Sequence, residues 1–315
     1  MLQGHENQRL SDSASRLHDR ENEPPAPPGS RHQPLWFRNP RIRAIWRFLL
    51  FLILVRILLM PVLFLAVRPF RFRIEATLDY LAEGLLLVAV LLGTAIMARI
   101  DGRPFFDYGL RDPRPALNWL KGALTGFFSL TLMLLGLQTA HHSHFGPQSI
   151  HGTSLLYAAL LNVFEFSLTA LYEELMFRGY PLSALAEGIG FWPAAIAVSL
   201  YFAWEHTVNP GESRVGIAAV FVFGIVLAFS VWRSGSLLWA IGFHFMWDYS
   251  ESFIYGVPDS GFVSPSHFLS TRFSGPAWIT GGTVGPEGSY FIFLVLALVA
   301  LTIHLTYPSR KLKKA

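Results

Sequence analysis

Apolar runs about as long as a bilayer is thick recur along this chain, and no other feature constrains its folding so tightly. A hydrocarbon core of about 30 Å is crossed by about 20 apolar residues in a helix, whose backbone groups then satisfy one another. The first run extends from about Arg47 to Val67, the second from about Leu78 to Ala98, and the third from about Leu117 to Gln138. Further runs lie at about 154–187, 190–207, 215–232, 235–250 and 290–307, the fifth to seventh of the series being short. The predicted fold class is all-α, a polytopic transmembrane helix bundle of about eight spans. Only 15% of the residues are charged and 52% are hydrophobic, whereas a soluble domain carries roughly a quarter charged.

The 315 residues include no cysteine, which excludes disulfides, thiolate metal sites and cysteine nucleophiles together. Basic residues flank the apolar runs, as at Arg38, Arg41, Arg43 and Arg47. Contact with anionic lipid headgroups accounts for them better than nucleic-acid binding does.

Residues 1–35 are polar and carry Pro24, Pro25, Pro27 and Pro28, a composition that buries too little apolar surface to offset ordering. They read as a disordered cytoplasmic tail, not a cleavable signal peptide, since no apolar stretch follows closely on the first residues. N-terminal spans then occupy 36–150, a core 151–250, an outer loop rich in Gly, Pro and Ser 251–289, and a final span with a basic tail 290–315. Arginines at Arg99, Arg103, Arg111 and Arg114 and the C-terminal Arg310, Lys311, Lys313 and Lys314 place both termini in the cytoplasm by the positive-inside rule, although Arg68, Arg71 and Arg73 oppose it. Gly122 and Gly126 form a small-xxx-small pair that reads as close helix packing.

A charge inside a span costs at least about 2.5–3.5 kcal/mol on insertion scales, so intramembrane ionisable groups point to function. Adjacent Glu173 and Glu174 sit in an otherwise apolar stretch, with Arg178 four residues after the second. Glu174 and Arg178 share a helix face and can pair, as a helix-end ion pair at the membrane surface also would. Glu173 is rotated about 100° away and is expected to point into a polar cavity. The next span holds Phe202 and His206, and the seventh holds His244 and Asp248 at i, i+4 spacing on one face. A hairpin turning at Glu187-Gly188-Ile189-Gly190 brings Glu174 and His206 to similar depth. Two carboxylates, two imidazoles and an aspartate around one buried site are what water activation requires. The imidazoles are suited to hold a metal or the oxyanion formed at a carbonyl.

Read as Glu173-Glu174-xxx-Arg178, Phe202-xxx-His206 and His244-xxx-Asp248, these residues resemble the CAAX-protease and bacteriocin-processing (Abi) family of intramembrane proteases. The family pattern is EExxxR, FxxxH and HxxxN or HxxxD on successive spans, and the Asp at 248 resembles the bacterial branch. The resemblance covers roughly residues 150–250. It implies hydrolysis of a peptide or membrane-anchored protein in a cavity within the membrane, and points to a bacterial inner membrane. By that resemblance Glu173 is the general base on water, supported by Glu174 paired to Arg178. His206 and His244 bind a divalent metal such as zinc or polarise the scissile carbonyl, Asp248 orients His244, and Phe202 shapes the cavity. The family has been discussed both as metalloproteases and as metal-independent glutamate proteases.

The rival reading is a membrane scaffold or a proton- or ion-coupled transporter whose buried carboxylates and histidines relay protons. A third is a pseudoenzyme that uses the cavity to bind a partner. Among the remaining polar groups, Asn162 and Glu165 read as interhelical hydrogen bonders, with Glu165 placed to line the same cavity. Glu205, Arg233 and His304 read as polar or interfacial positions, and His141, His142 and His144 as a solvated loop cluster.

Overall fold

The computed structural model describes residues 39–67 and 75–307. The N-terminal tail, the Arg68–Arg73 segment and the basic C-terminal tail lie outside the described residues. From Pro40 onward the chain forms one unit, in which apolar periodicity produces helices almost throughout. They are α1 (Pro40–Val67), α2 (Glu75–Asp101), α3 (Pro115–Thr139), α4 (Gly152–Glu174) and α5 (Tyr180–Ile189). After these come α6 (Phe191–Glu205), α7 (Arg214–Ser234), α8 (Leu238–Asp248), the short α9 (Ala277–Thr280) and α10 (Phe291–Thr306). One small antiparallel pair, β1 (Ser143–His144) with β2 (Arg272–Phe273), ties the α3–α4 connection to the loop after α8.

The fold is all-α. Among the described residues, four stretches are long and apolar enough to cross a bilayer: Leu81–Asp101, Pro115–Thr139, Gly152–Ile189 and Arg214–Ser234. The other expected spans are helical too, but α6, α8 and α10 have only 15, 11 and 16 residues. The 38-residue stretch Gly152–Ile189 is continuous because a π turn, Leu175–Gly179, joins α4 to α5. Gly190, at φ +86°, makes the turn into α6. Ile57, Phe128, Leu160 and Leu294 are about 60% exposed on the outer faces, a pattern suited to lipid and costly in water.

α8 is the innermost helix; nearly every residue from Trp239 to Asp248 is buried, as expected of a helix enclosed on all sides. Glycines let α3 approach it. A Cβ on Gly122 would lie 2.0 Å from the Trp239 carbonyl oxygen, and one on Gly126 would lie 2.4 Å from that of Phe243. Gly242 faces back, where a Cβ would meet the Trp119 carbonyl oxygen at 2.1 Å. The small-xxx-small pair therefore serves packing inside the chain.

At one end of the bundle, Arg47 of α1 pairs with Asp101 of α2 and with Glu187 of α5, and donates to the Tyr180 hydroxyl at 3.2 Å. Tyr108 donates to Asp101 Oδ2 at 2.9 Å. Burial, then this carboxylate, pushes the Tyr108 phenol up to about 12. Arg233 is buried among polar partners: it donates to the His304 carbonyl at 2.7 Å and to that of Tyr307, capping the end of α10.

Candidate active site

Local helix geometry builds the centre of the site. Glu173 and Glu174 occupy the last two positions of α4, and the π turn that follows carries Arg178. Arg178 Nη1 donates to Glu174 Oε1 at 3.0 Å, with both side chains fully enclosed. The guanidinium also lies 4.4 Å from the centre of the Phe202 ring, a contact that favours a cation. Gly224 of α7 leaves room for it, since a Cβ there would stand 2.8 Å from Ser199 Oγ and 3.1 Å from Arg178 Nη2.

His244, buried on α8, reaches the same carboxylate: its Nδ1 lies 2.9 Å from Glu174 Oε1. An ionised carboxylate only accepts, so Nδ1–H donates and Nε2 is left for other work. That Nε2 stands 3.6 Å from Glu173 Oε2 and 3.5 Å from Asp248 Oδ2. Glu173, turned away from Arg178, lines the cavity, and its Oε2 has no hydrogen-bond partner. His206 follows α6 on a 3₁₀ turn, with Nδ1 2.9 Å from the Phe202 carbonyl and its ring 4.4 Å from the Phe202 ring. A carbonyl cannot donate, so Nδ1 again carries the proton.

These groups surround or line a cavity of about 1300 Å³. Glu173, Phe202, His206, His244 and Asp248 line it, while Glu174 and Arg178 stand behind His244. The arrangement resembles an orienting carboxylate behind an imidazole, with a second carboxylate free to meet water. Asn162, Glu165 and Glu205 also line the cavity. Asn162 bonds within its own helix, to the Ala158 carbonyl at 2.9 Å, and accepts from Ser264 Oγ at 3.4 Å. Glu205 is paired with Arg56 of α1.

Both imidazoles present Nε2 with Nδ1 anchored, as metal-bound histidines do. Three donor atoms close enough to share one ion occur, among the described residues, at Glu251, Asp259 and Glu287. The expectations named none of these three, nor Phe223, whose ring centre lies 5.5 Å from that of His244. Glu251 was legible as the residue seven after His244, the next position on its face, had the helix been continued past 250. Asp259 and Glu287 arrive through loops and leave no periodic signal.

Residues 152–250 match the family model of the Rce1-like type II CAAX prenyl endopeptidases. The match takes in Glu173, Glu174, Arg178, Phe202, His206, His244 and Asp248 and agrees with the resemblance read from those motifs. It covers less than a third of the chain. No curated protein and no solved structure matches.

Proposed function

We propose that this integral membrane protein is an intramembrane endopeptidase that hydrolyses peptide bonds of a peptide or a membrane-anchored protein in its 1300 Å³ cavity. The observation that carries the reading is Glu173, which lines the cavity and whose buried Oε2 has no hydrogen-bond partner and lies 3.6 Å from His244 Nε2. The matching family model supports it.

Water enters between Glu173 and the scissile carbonyl. Glu173 takes a proton from it as the oxygen attacks the carbonyl carbon, a role in which a placed base contributes about 10²–10⁴-fold. The charge that develops on the carbonyl oxygen needs an N–H donor, which His244 and His206 supply from Nε2 only in their doubly protonated form, with Glu174 holding His244 through Nδ1. Collapse of the intermediate breaks the carbon–nitrogen bond. The proton on Glu173 passes to the leaving amine and water's other proton stays on the new carboxyl group, so one carboxylic acid and one amine are released and the base is restored. Arg178 positions Glu174 and does not reach the cavity lining. Asp248, 3.5 Å from His244 Nε2, steadies the positive charge of a protonated imidazole. These steps need only the protein's own groups and water. The same reading puts both termini on the cytoplasmic side of a bacterial inner membrane.

The test is cleavage of quenched peptides, C-terminally lipidated ones included, by the protein in nanodiscs, with and without a chelator. Cleavage is expected in wild type and a loss of about 10²–10⁴-fold in Glu173→Gln. Loss of activity on chelation, restored by zinc, would make His206 and His244 metal ligands. Equal background in wild type, Glu173→Gln and His244→Ala, all folded, would sink the protease reading in favour of transport.

A further inference from the structure

Three carboxylates outside the matched segment converge from separate stretches of chain. Glu251 lies on a π turn (Tyr249–Ile254) that continues α8, Asp259 in the loop beyond, and Glu287 on a 3₁₀ turn (Pro286–Gly288) before α10. One oxygen of each lies within 4.8 Å of the other two.

The donors around them are unevenly shared. The Trp247 indole N–H donates to Glu287 Oε1 at 2.9 Å, and Ser260 Oγ to Glu287 Oε2 at 2.6 Å. Ser252 Oγ donates to Asp259 Oδ2 at 3.2 Å. Glu251 is fully buried, yet neither of its oxygens has a hydrogen-bond partner. Ionised carboxylates only accept, so the three cannot satisfy one another. Three like charges this close, one of them fully buried, stay ionised only beside a compensating positive charge. Among the described residues, the cavity that Asp259 and Glu287 line contains no lysine or arginine. Oxygen-only donors with a net charge of three suit a hard cation, not a thiolate- or imidazole-seeking one.

We propose that Glu251, Asp259 and Glu287 hold a hard divalent cation of the calcium or magnesium class. Such an ion ties the end of α8 to the loop that precedes α10. Since Asp259 and Glu287 face the cavity, its occupancy fixes one wall of the chamber that Glu173 and His244 also line.

The test needs no proteolysis. Full-length protein in detergent, stripped of metal, is titrated with terbium, whose emission the Trp247 indole beside Glu287 should sensitise. Calcium or magnesium is then added in competition. Saturable emission displaced by calcium or magnesium is expected, together with an ion-dependent rise in Tm. Glu251→Gln loses no hydrogen bond and should fold; it is expected to weaken binding about tenfold or more. Glu173→Gln should bind the ion as wild type does, so failure here and failure of the protease reading are separate results. No saturable emission and no Tm shift with either ion in wild type would overturn the proposal. So would displacement by zinc but by neither calcium nor magnesium, or unchanged affinity in Glu251→Gln.

Discussion

A single oxygen, Glu174 Oε1, accepts from both Arg178 and His244, so the enclosed pair carries structural and positioning duties together. Removing one partner of a buried ion pair strands the other's charge and costs about 3–5 kcal/mol. Arg178→Met should therefore lower unfolding stability in micelles by about that much. The double variant Glu174→Gln/Arg178→Met should recover part of the loss, and a double-mutant cycle reads the coupling directly. Additive losses would show that the pair does not act as a unit. Asp112 behaves differently, at the chain's polar edge. Burial alone would raise its carboxyl, but hydrogen bonds from Asn118, Ser236 and the Arg114 N–H outweigh burial and hold it below the usual range. Its folded value lies below its unfolded one, so its contribution is present above roughly pH 4 and lost as pH falls through the lowered value. Thermal melts from pH 6 downward should show a smaller acid loss in Asp112→Asn than in wild type.

At the scale of elements, α3 and α8 meet through backbone and not through side chains. Gly122→Ala and Gly242→Ala each drive a methyl to about 2 Å from a main-chain carbonyl, which side-chain rearrangement cannot relieve. Each should cost at least the roughly 1–3 kcal/mol of ordinary overpacking, read as a drop in Tm. Gly136→Ala, where a Cβ would meet nothing within 4 Å, should cost little. That glycine pair was legible in the sequence because small residues four apart mark one helix face. The order and type of the long helices were legible for the same reason, and so was the approach of Glu174 to Arg178. The two π turns were not. Leu175–Gly179 and Tyr249–Ile254 each follow directly on a motif carboxylate, yet an inserted residue in a helix leaves the apolar pattern nearly intact. The polar surroundings read for Arg233 are carbonyls at the end of α10, more than 70 residues on, which no local pattern could name.

Across the whole molecule, the cavity draws its walls from α2, α4, α6, α7, α8, α10 and the loop between α8 and α10. That loop presents Phe262 and Val263 at the rim, 58% and 64% exposed. Apolar side chains at such a mouth suit a substrate that arrives along the bilayer. Phe262→Asp should raise KM for a lipidated peptide more than it lowers kcat, and an equal effect on a soluble peptide would argue against this role. The glycine contacts bear on how such a substrate enters. Two helices in backbone contact along several turns have no side-chain cushion to shear, so α3 and α8 move as one stiff rod. His244 and Asp248 ride on that rod. Widening of the cavity is therefore expected on the side where Asn162 of α4 meets Ser264 of the rim loop, with His244 as the still point.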